Sequence, residues 1–334
     1  MKPLVSVVMP LYNKEKSVPR AINSILKQTE QNFELIVVND GSTDHSETIV
    51  KSINTGGKLK LINQENGGAS AARNRGIEEA SADLIAFLDA DDEWLPEFLE
   101  TILDLHAQFS EAEVFGTFYY KQDKNGYLLL FKNDHIFYKN WKGIIQNYFE
   151  VACQFSPFNS SSVAATKHIL EKIGGFPLGV KVGQDVDTWT RLSVAANIAY
   201  CNKPLAIIHL GSENRSHSYH PDPSEELHQV NTLRHLLDSG AVPEQFRQSA
   251  FEYLAKNQLR FAYNFLELGN IKSAKELIRS SKGTKKYITK WYWLSFCASI
   301  PPFLYSPFVK LNKLSLELRI KIGKLRRDLN KKLK

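Results

Sequence analysis

Residues 4–44 read LVSVVMPLYNKEKSVPRAINSILKQTEQNFELIVVNDGSTD and contain a complete strand–helix–strand unit. The apolar runs at 4–9 and 33–39 are short, rich in Val, Leu and Ile, and lack the alternation of a half-exposed strand. Between them, residues 17–28 have the length and amphipathic pattern of a helix. Because such units join parallel strands, this stretch predicts an α/β fold with a mostly parallel sheet flanked by helices.

The same alternation continues to about residue 90 and then loosens. Further strands are expected at 59–63, 84–88, 114–121, 127–131, 162–166 and 205–209, and further helices at 45–53, 69–80, 95–108 and 185–196. After residue 223 only helical patterns follow, at 224–238, 243–268 and 271–281. We therefore predict an α/β domain over residues 1–222, an α-helical appendage over 223–281 and a basic amphipathic tail over 282–334.

Charge and cysteine content indicate the compartment. The 334 residues carry a net charge of +6, but residues 280–334 hold 14 Lys/Arg against two acidic residues. The three cysteines are far apart and show no metal-binding spacing, which favours buried reduced thiols in a cytosolic protein. Residues 1–12 suit a first strand better than a secretory signal, so we expect the chain to stay in the cytoplasm.

Four aspartates stand out because of where they lie. Asp40, Asp89 and Asp91 directly follow apolar runs, and Asp185 lies in GQDVDTW. The carboxyl ends of parallel strands meet at one crevice, the usual ligand site of open α/β sheets. Carboxylates gathered there are costly to desolvate without partners, and hard oxygen ligands suit Mg²⁺ or Mn²⁺. The neighbouring Asp92 has an alternative role as the cap of the next helix.

The motifs as an ordered set resemble family 2 of the inverting glycosyltransferases, which have the Rossmann-like GT-A fold. The set covers roughly residues 4–215 and consists of VSVVMPLYNKEKSVPRAINSILKQT, FELIVVNDGSTD, NGGASAARNRGI, LIAFLDADDEW and GGF…GQDVDTWTRL. The resemblance implies a metal-dependent, inverting transferase for residues 1–222. It would move a sugar from a nucleotide sugar, expected to be a UDP-sugar, to a hydroxyl of a glycan or lipid-linked acceptor in bacterial surface-polysaccharide synthesis.

The resemblance also implies the donor site. Pro10, Tyr12 and Asn13 would form a loop under the uracil base, and Asp40 would accept hydrogen bonds from the base or ribose. The glycine-rich entry to the helix at 69–80 is a suitable phosphate approach, and Arg73 is our choice for contact with the nucleotide. Arg75 suits the same role or that of a solvated helix residue.

The metal site is expected at the DXD motif, Asp89-Ala90-Asp91. Family precedent puts Asp91 on Mn²⁺ or Mg²⁺, and Asp89 on the ribose or on the metal through water. His209 is a candidate third metal ligand or diphosphate contact, although a histidine at a strand end is more often structural. Arg215 is a further phosphate candidate.

Asp185 occupies the family's acidic base position, which is usually a Glu-Asp pair. Here Gln184 replaces the first acid, so we assign the base to Asp185, with Asp187 as the fallback. Trp189 is expected either beneath the acceptor sugar or in the core.

The tail predicts a peripheral membrane location. Residues 291–309 hold 19 uncharged residues with three prolines, and residues 310–334 form a lysine-rich amphipathic pattern. Together they favour binding to anionic lipid on the cytoplasmic face. A helix pair packed on the core is the alternative. Nucleic acid is not expected as a partner, because the tail lacks any recognised reader fold.

Two other functions compete with glycosyl transfer. A sugar-phosphate nucleotidyltransferase shares the crevice, but residues 10–18 lack the Gly-rich basic signature that it needs. A catalytically silent sugar-nucleotide-binding scaffold is compatible with Gln184.

Overall fold

The computed structural model describes residues 2–130, 137–212, 227–301 and 304. Its strands belong to one sheet. They are β1 (Val5–Leu11), β2 (Phe33–Asp40), β3 (Leu59–Gln64), β4 (Leu84–Phe87), β5 (Glu93–Trp94), β6 (Ala112–Gln122), β7 (Leu128–Leu129), β8 (Lys142–Ile144), β9 (Val163–Thr166) and β10 (Asn197–His209).

The strand order is β3-β2-β1-β4-β9-β6-β10-β5, with β7 on β6 and β8 on β10. The first four strands in this order are mutually parallel, and so are β6 and β10. Strand β9 runs antiparallel to both β4 and β6 and joins the two parallel groups. The predicted fold class, a mostly parallel sheet flanked by helices, is confirmed.

The helices of the first half alternate with the strands, and those after residue 227 follow one another. They are α1 (Val18–Leu26), α2 (Ser46–Ser52), α3 (Ala69–Glu79), α4 (Phe98–Gln108), α5 (Tyr148–Gln154), α6 (Lys167–Lys172), α7 (Gln184–Ala195), α8 (His228–Asp238), α9 (Arg247–Glu267), α10 (Ile271–Ser280) and α11 (Ile288–Ser299). The helical C-terminal region that the sequence predicts is therefore present.

Helix α3 lies very close to the centre of the sheet because of one glycine. A Cβ built on Gly76 would stand 2.3 Å from Cγ1 of Val8, so only a hydrogen fits there. Val8 is fully buried in β1, between β2 and β4. This close approach holds the first turns of α3 beside the carboxyl ends of these strands, where the predicted ligand residues lie.

The chain divides into two compact units. Of the described residues, the first unit contains 2–212 and 227–250, and the second contains 251–301 and 304. All three cysteines are buried, as the sequence predicts. The predicted boundary between residues 222 and 223 lies outside the described residues, as do Phe131, Arg215 and most of the predicted tail.

No described helix is long and apolar enough to cross a bilayer.

Candidate active site

Asp40, at the end of β2, is buried and holds the entry to α3. Its Oδ1 accepts hydrogen bonds from the backbone N–H of Gly67 (2.9 Å) and from Nε2 of Gln64 (2.8 Å), and its Oδ2 accepts one from the N–H of Gly68 (2.8 Å). Gly68 has φ of +86°, which glycine adopts at low cost. The N-terminus of α3 therefore binds the carboxylate of Asp40. The contact of Asp40 with a nucleoside remains a prediction.

The loop after β1 is tied to the loop after β2 through Asn13. Its backbone N–H donates to Oγ of Ser42 (3.1 Å), and its side-chain Oδ1 accepts from the N–H of Thr43 (2.8 Å). Asn13 has φ of +50°, a conformation that asparagine tolerates better than most residues. Pro10 is partly exposed, Leu11 after it is fully buried, and Tyr12 beside this junction is 44% exposed. An exposed aromatic ring on a fixed loop is suited to stacking on a base.

Three aspartates form a cluster after β4. One carboxylate oxygen from each of Asp89, Asp91 and Asp92 lies within 4.8 Å of the others. Asp92 accepts hydrogen bonds on both oxygens, from Oγ of Ser161 (2.7 Å) and from the backbone N–H of His209 (3.0 Å). It thus joins the ends of β4 and β10. The alternative role as a helix cap is wrong, because α4 begins after Glu97 and has no side-chain cap.

The other two aspartates are paired with cations. Lys14 Nζ lies 2.9 Å from Oδ2 of Asp91, and both side chains are about nine-tenths buried, at 12% and 10% exposure. Arg20 donates to the backbone carbonyl of Asp91 (2.6 Å). Arg73 Nη2 lies 2.6 Å from Oδ1 of Asp89. Sequence reasoning missed Lys14, in the loop after β1, and Arg20, in the first turn of α1, although an acid cluster in a crevice requires cations near it.

Arg73 is only partly satisfied by this pairing. The residue is 4% exposed, and its Nε and Nη1 are buried without a hydrogen-bond partner among the described residues. Unpaired buried donors cost free energy, which a ligand that accepts hydrogen bonds would recover. Arg73 therefore fits the predicted nucleotide contact. Arg75, in contrast, is half-exposed and pairs with Glu79 at 2.6 Å, which agrees with its alternative role as a solvated helix residue.

The donor set fits Mg²⁺ or Mn²⁺ through two of the aspartates. Asp89 and Asp91 each use one carboxylate oxygen in an ion pair, whereas Asp92 uses both oxygens in hydrogen bonds. A cation on Oδ2 of Asp91 would take the place of the Lys14 ammonium.

His209 lies next to this cluster, but its ring is turned to another acid. Its Nε2 lies 2.9 Å from Oε1 of Glu93, and this hydrogen bond is the main cause of the lowered pKa of Glu93. Within the described residues, His209 is not part of the group of three aspartates. Its predicted role as a metal ligand remains a prediction, and it requires the ring to leave Glu93.

Asp185, in the first turn of α7, is brought to the same crevice. Its Oδ1 accepts a hydrogen bond from the N–H of Val186 (2.8 Å). Burial is the largest influence and raises the pKa of Asp185; the charge of Arg73 lowers this pKa and that of Asp89 raises it. Asp185 as a whole residue is partly exposed. Asp185 therefore lies within electrostatic reach of both residues of the Arg73–Asp89 pair.

The neighbouring acid on α7 has a structural role. Asp187 is buried, pairs with Nε of Arg191 (2.8 Å) and accepts a hydrogen bond from Thr232. Arg191 also donates to the backbone carbonyls of Ile173 and Gly175. Asp187 is thus buried within this network. A general base must reach the acceptor hydroxyl, so this position does not suit Asp187 as the fallback base.

Two aromatic residues complete the surroundings of Asp185. Trp189 is 2% exposed and meets Phe158 and Phe176 edge-on at 5.7 Å between ring centroids, so it belongs to the core. Tyr119 was not singled out from the sequence. Burial raises its pKa to about 12, and the charge of Asp185 contributes to this rise. The hydroxyl of Tyr119 donates to the carbonyl of Ser156 (3.3 Å), which places a neutral phenol near the candidate base.

Comparison with known proteins identifies the family. The family described as glycosyl transferase family 2 matches residues 6–173. The chain belongs to glycosyl transferase family 2. The predicted membership of this family, and with it the prediction of a transferase, is confirmed.

Individual relatives in this family match part of the chain. An uncharacterised glycosyltransferase of Rickettsia bellii is 30% identical over 213 residues, which is 63% of this chain and 29% of that protein. The uncharacterised glycosyltransferase EpsJ of Bacillus subtilis is 36% identical over 126 residues, 37% of this chain and 36% of EpsJ. The chain thus spans about a third of the length of the curated relatives that it matches.

Solved structures share the fold over nearly the whole chain. Residues 1–349 of S. aureus TarS, crystallised in complex with UDP-GlcNAc, have a TM-score of 0.70 with 18% identity, covering 93% of this chain and 92% of that chain. The complex of the same TarS fragment with UDP has a TM-score of 0.66, also at 18% identity. The GT-A-like architecture predicted from the sequence motifs is therefore confirmed.

Proposed function

We propose that this family 2 protein is an inverting glycosyltransferase that moves a sugar from a UDP-sugar to an acceptor hydroxyl. One observation carries the proposal. Asp40, the Asp89–Asp91 pair and Asp185 come from distant parts of the sequence, and the fold collects them around Arg73 and the entry to α3. This arrangement matches the needs of the reaction, namely a nucleoside site, a diphosphate site and a base.

UDP is the proposed nucleotide for two reasons. The TarS structures of the same fold were solved with UDP-GlcNAc and with UDP. In this chain the exposed Tyr12 precedes Asn13 in the loop that is tied to the residues after Asp40, and its ring offers a stacking surface for a base.

Asp185 is the proposed general base. The acceptor hydroxyl has a pKa far above 7, so its proton must leave to a positioned base as the oxygen attacks the anomeric carbon. The raised pKa of Asp185 makes it a stronger base than an ordinary aspartate. In the proposed mechanism the carboxylate of Asp185 takes the proton, no side chain acts as a nucleophile, and a single displacement inverts the anomeric carbon.

The leaving diphosphate needs compensating charge. Asp89 and Asp91 would hold a divalent cation, Mn²⁺ or Mg²⁺, which when bound supplies Lewis-acid stabilisation of that charge. Arg73 contributes two unsatisfied N–H groups next to Asp89. Lys14, released from Asp91, supplies a further cation at the end of β1.

The acceptor and the cellular location are parts of the same proposal. We infer a glycan or lipid-linked acceptor in bacterial surface-polysaccharide synthesis, and a peripheral position on the cytoplasmic face of the membrane. The support is the charge of residues 280–334, which hold 14 basic and two acidic residues; most of these charged residues lie outside the described residues.

UDP release with a panel of UDP-sugars tests the proposal. Release should depend on Mn²⁺ or Mg²⁺, stop with EDTA, and fall by at least about 100-fold in Asp91→Ala. Asp83→Ala removes an exposed aspartate directly before β4 and is the matched control. Tight UDP binding with no release from any donor, even with membrane lipid extract as acceptor source, would instead establish the silent scaffold.

A further inference from the structure

Helix α11 has apolar residues on a face that the described residues of the second unit leave exposed. Ile288, Tyr292 and Phe296 are spaced four residues apart and therefore form one stripe along the helix. Their exposed fractions are 40%, 64% and 62%. The opposite face of the helix carries the buried residues Leu294 and Cys297. A helix that is apolar on both faces is not explained by packing on one side, and an exposed apolar stripe marks an interaction site.

Lysines stand directly before this helix. Lys282, Lys285 and Lys286 are exposed, although the N-terminus of a helix favours acidic residues. The loop is nevertheless well fixed, because the buried carboxylate of Glu252 accepts hydrogen bonds from the backbone N–H groups of Lys285 (2.7 Å) and Lys286 (3.2 Å). The fold thus holds several positive charges at one end of the apolar stripe.

We propose that the α11 stripe (Ile288, Tyr292 and Phe296) and the three lysines form a docking surface for an anionic lipid bilayer, with α11 lying in the plane of the interface. Aromatic rings at the level of the headgroups and lysines beside them are the pattern of interfacial helices. The inference rests on the proposed membrane location but not on the proposed transfer chemistry. It identifies a folded surface, separate from the basic segment at 310–334.

Charge argues against the other occupants of this face. Residues 251–301 contain nine basic and three acidic residues, a net charge of +6. A second copy docked through this same face would bring a surface of the same sign against it. Residues 305–334 contain ten basic and two acidic residues, so this segment is also repelled. An anionic bilayer, in contrast, is attracted by the positive charge of residues 251–301 and of residues 305–334, and its interface can accept the apolar stripe.

Co-sedimentation of the full-length chain with vesicles tests the proposal. The vesicles contain phosphatidylcholine alone or with phosphatidylglycerol, and no donor sugar is added. The wild type should bind the anionic vesicles and not the neutral ones. Tyr292→Ser combined with Phe296→Ser should lower the partition coefficient at least about tenfold. Lys285→Ser with Lys286→Ser should lower it about 25-fold, since each lysine contributes about fivefold, and high salt should reduce this difference.

Tyr138→Ser is the matched control, because it removes an aromatic side chain that is 69% exposed in the first unit. Its partition coefficient should equal that of the wild type. Unchanged binding in the aromatic double variant, with circular dichroism showing an intact fold, would refute the surface. Equal binding to neutral vesicles would refute the role of anionic lipid. A wild type that dimerises, and a double variant that is monomeric, would assign the face to a second copy instead.

The vesicle assay and the UDP-release assay test different parts of the protein, so a negative result in one does not imply a negative result in the other. Donor hydrolysis without membranes reports on the active site, whereas binding without donor reports on α11. Loss of one result therefore leaves the other interpretable.

Discussion

The substitution Asp185→Asn tests the proposed base, because it removes the proton acceptor and leaves the shape of the side chain unchanged. Oδ1 of Asp185 accepts a hydrogen bond from the backbone N–H of Val186, and the carboxamide oxygen of asparagine can accept this bond equally well. General-base assistance contributes about 10²–10⁴-fold, so kcat should fall by that factor, about 2.7–5.5 kcal/mol, while donor affinity stays within about threefold.

The same variant should be at least as stable as the wild type at neutral pH. Burial raises the pKa of Asp185 in the folded chain above its unfolded value near 3.9. A raised carboxyl pKa favours folding only while the group is protonated. Its contribution is present below the unfolded pKa and is lost as pH rises through the folded pKa. The asparagine variant avoids this loss, so its Tm should equal or exceed that of the wild type at pH 7, with a smaller difference at pH 4.

The pH profile gives a third readout. Wild-type kcat/KM should decrease on acidification, with a limb at a pKa above the ordinary aspartate value, because the base becomes protonated. The residual activity of Asp185→Asn should lack this limb. Single-turnover UDP release across pH and thermal unfolding at two pH values measure the three quantities.

Asp187→Asn is the matched control, two residues away on the same helix. It weakens the buried pair with Arg191 and should cost about 3 kcal/mol, roughly 6–12 °C in Tm, with kcat within about threefold. If Asp185→Asn kept near-normal kcat and Asp187→Asn lost it, the assignment of the base would be wrong.

Three further results are expected. Lys14→Met removes the ammonium that pairs with Asp91, so Mn²⁺ titration by electron paramagnetic resonance without nucleotide should show at least about tenfold tighter binding; equal affinity to a Lys16→Met control would show that the ammonium does not compete. Gly76→Ala places a methyl group 2.3 Å from Val8, so unfolding in denaturant should show a loss of about 1–3 kcal/mol, which Val8→Ala should partly restore. Asp40→Ala removes the acceptor of two glycine N–H groups, so isothermal titration should show at least tenfold weaker UDP binding; unchanged affinity would exclude Asp40 from the nucleoside site.

The parallel half of the sheet was predictable because its signal is local. The structure forms β1 to β4 over nearly the residues predicted, 4–9, 33–39, 59–63 and 84–88. Strands β1, β2 and β4 are largely buried, as their apolar runs predict, whereas β3 at the edge of the sheet is only partly buried. The strand-to-helix spacing also determines that the acids after β2 and β4 lie at one edge, since parallel strands share their carboxyl ends. The second half required more of the fold. Strand β9 lies antiparallel between β4 and β6, a pairing that no neighbouring residues encode.

The choice among chemically similar residues was decided by the tertiary structure. Asp185 and Asp187 are two residues apart on α7, and the sequence offers both as bases. Two residues on a helix point about 200° apart, so packing against Arg191 and Thr232 buries one while the other lies near Arg73.

The ion-pair and hydrogen-bond partners of the acidic residues were likewise decided by the tertiary structure. The sequence by itself determined the family, the fold class and the positions of the carboxylates, because motif order and hydrophobic periodicity are properties of the chain alone. Which cation neutralises Asp91, and whether His209 points to the aspartates or to Glu93, depends on side chains from distant segments. Such contacts are decided by distances of a few ångströms, which only the folded arrangement of β1, β4 and β10 determines.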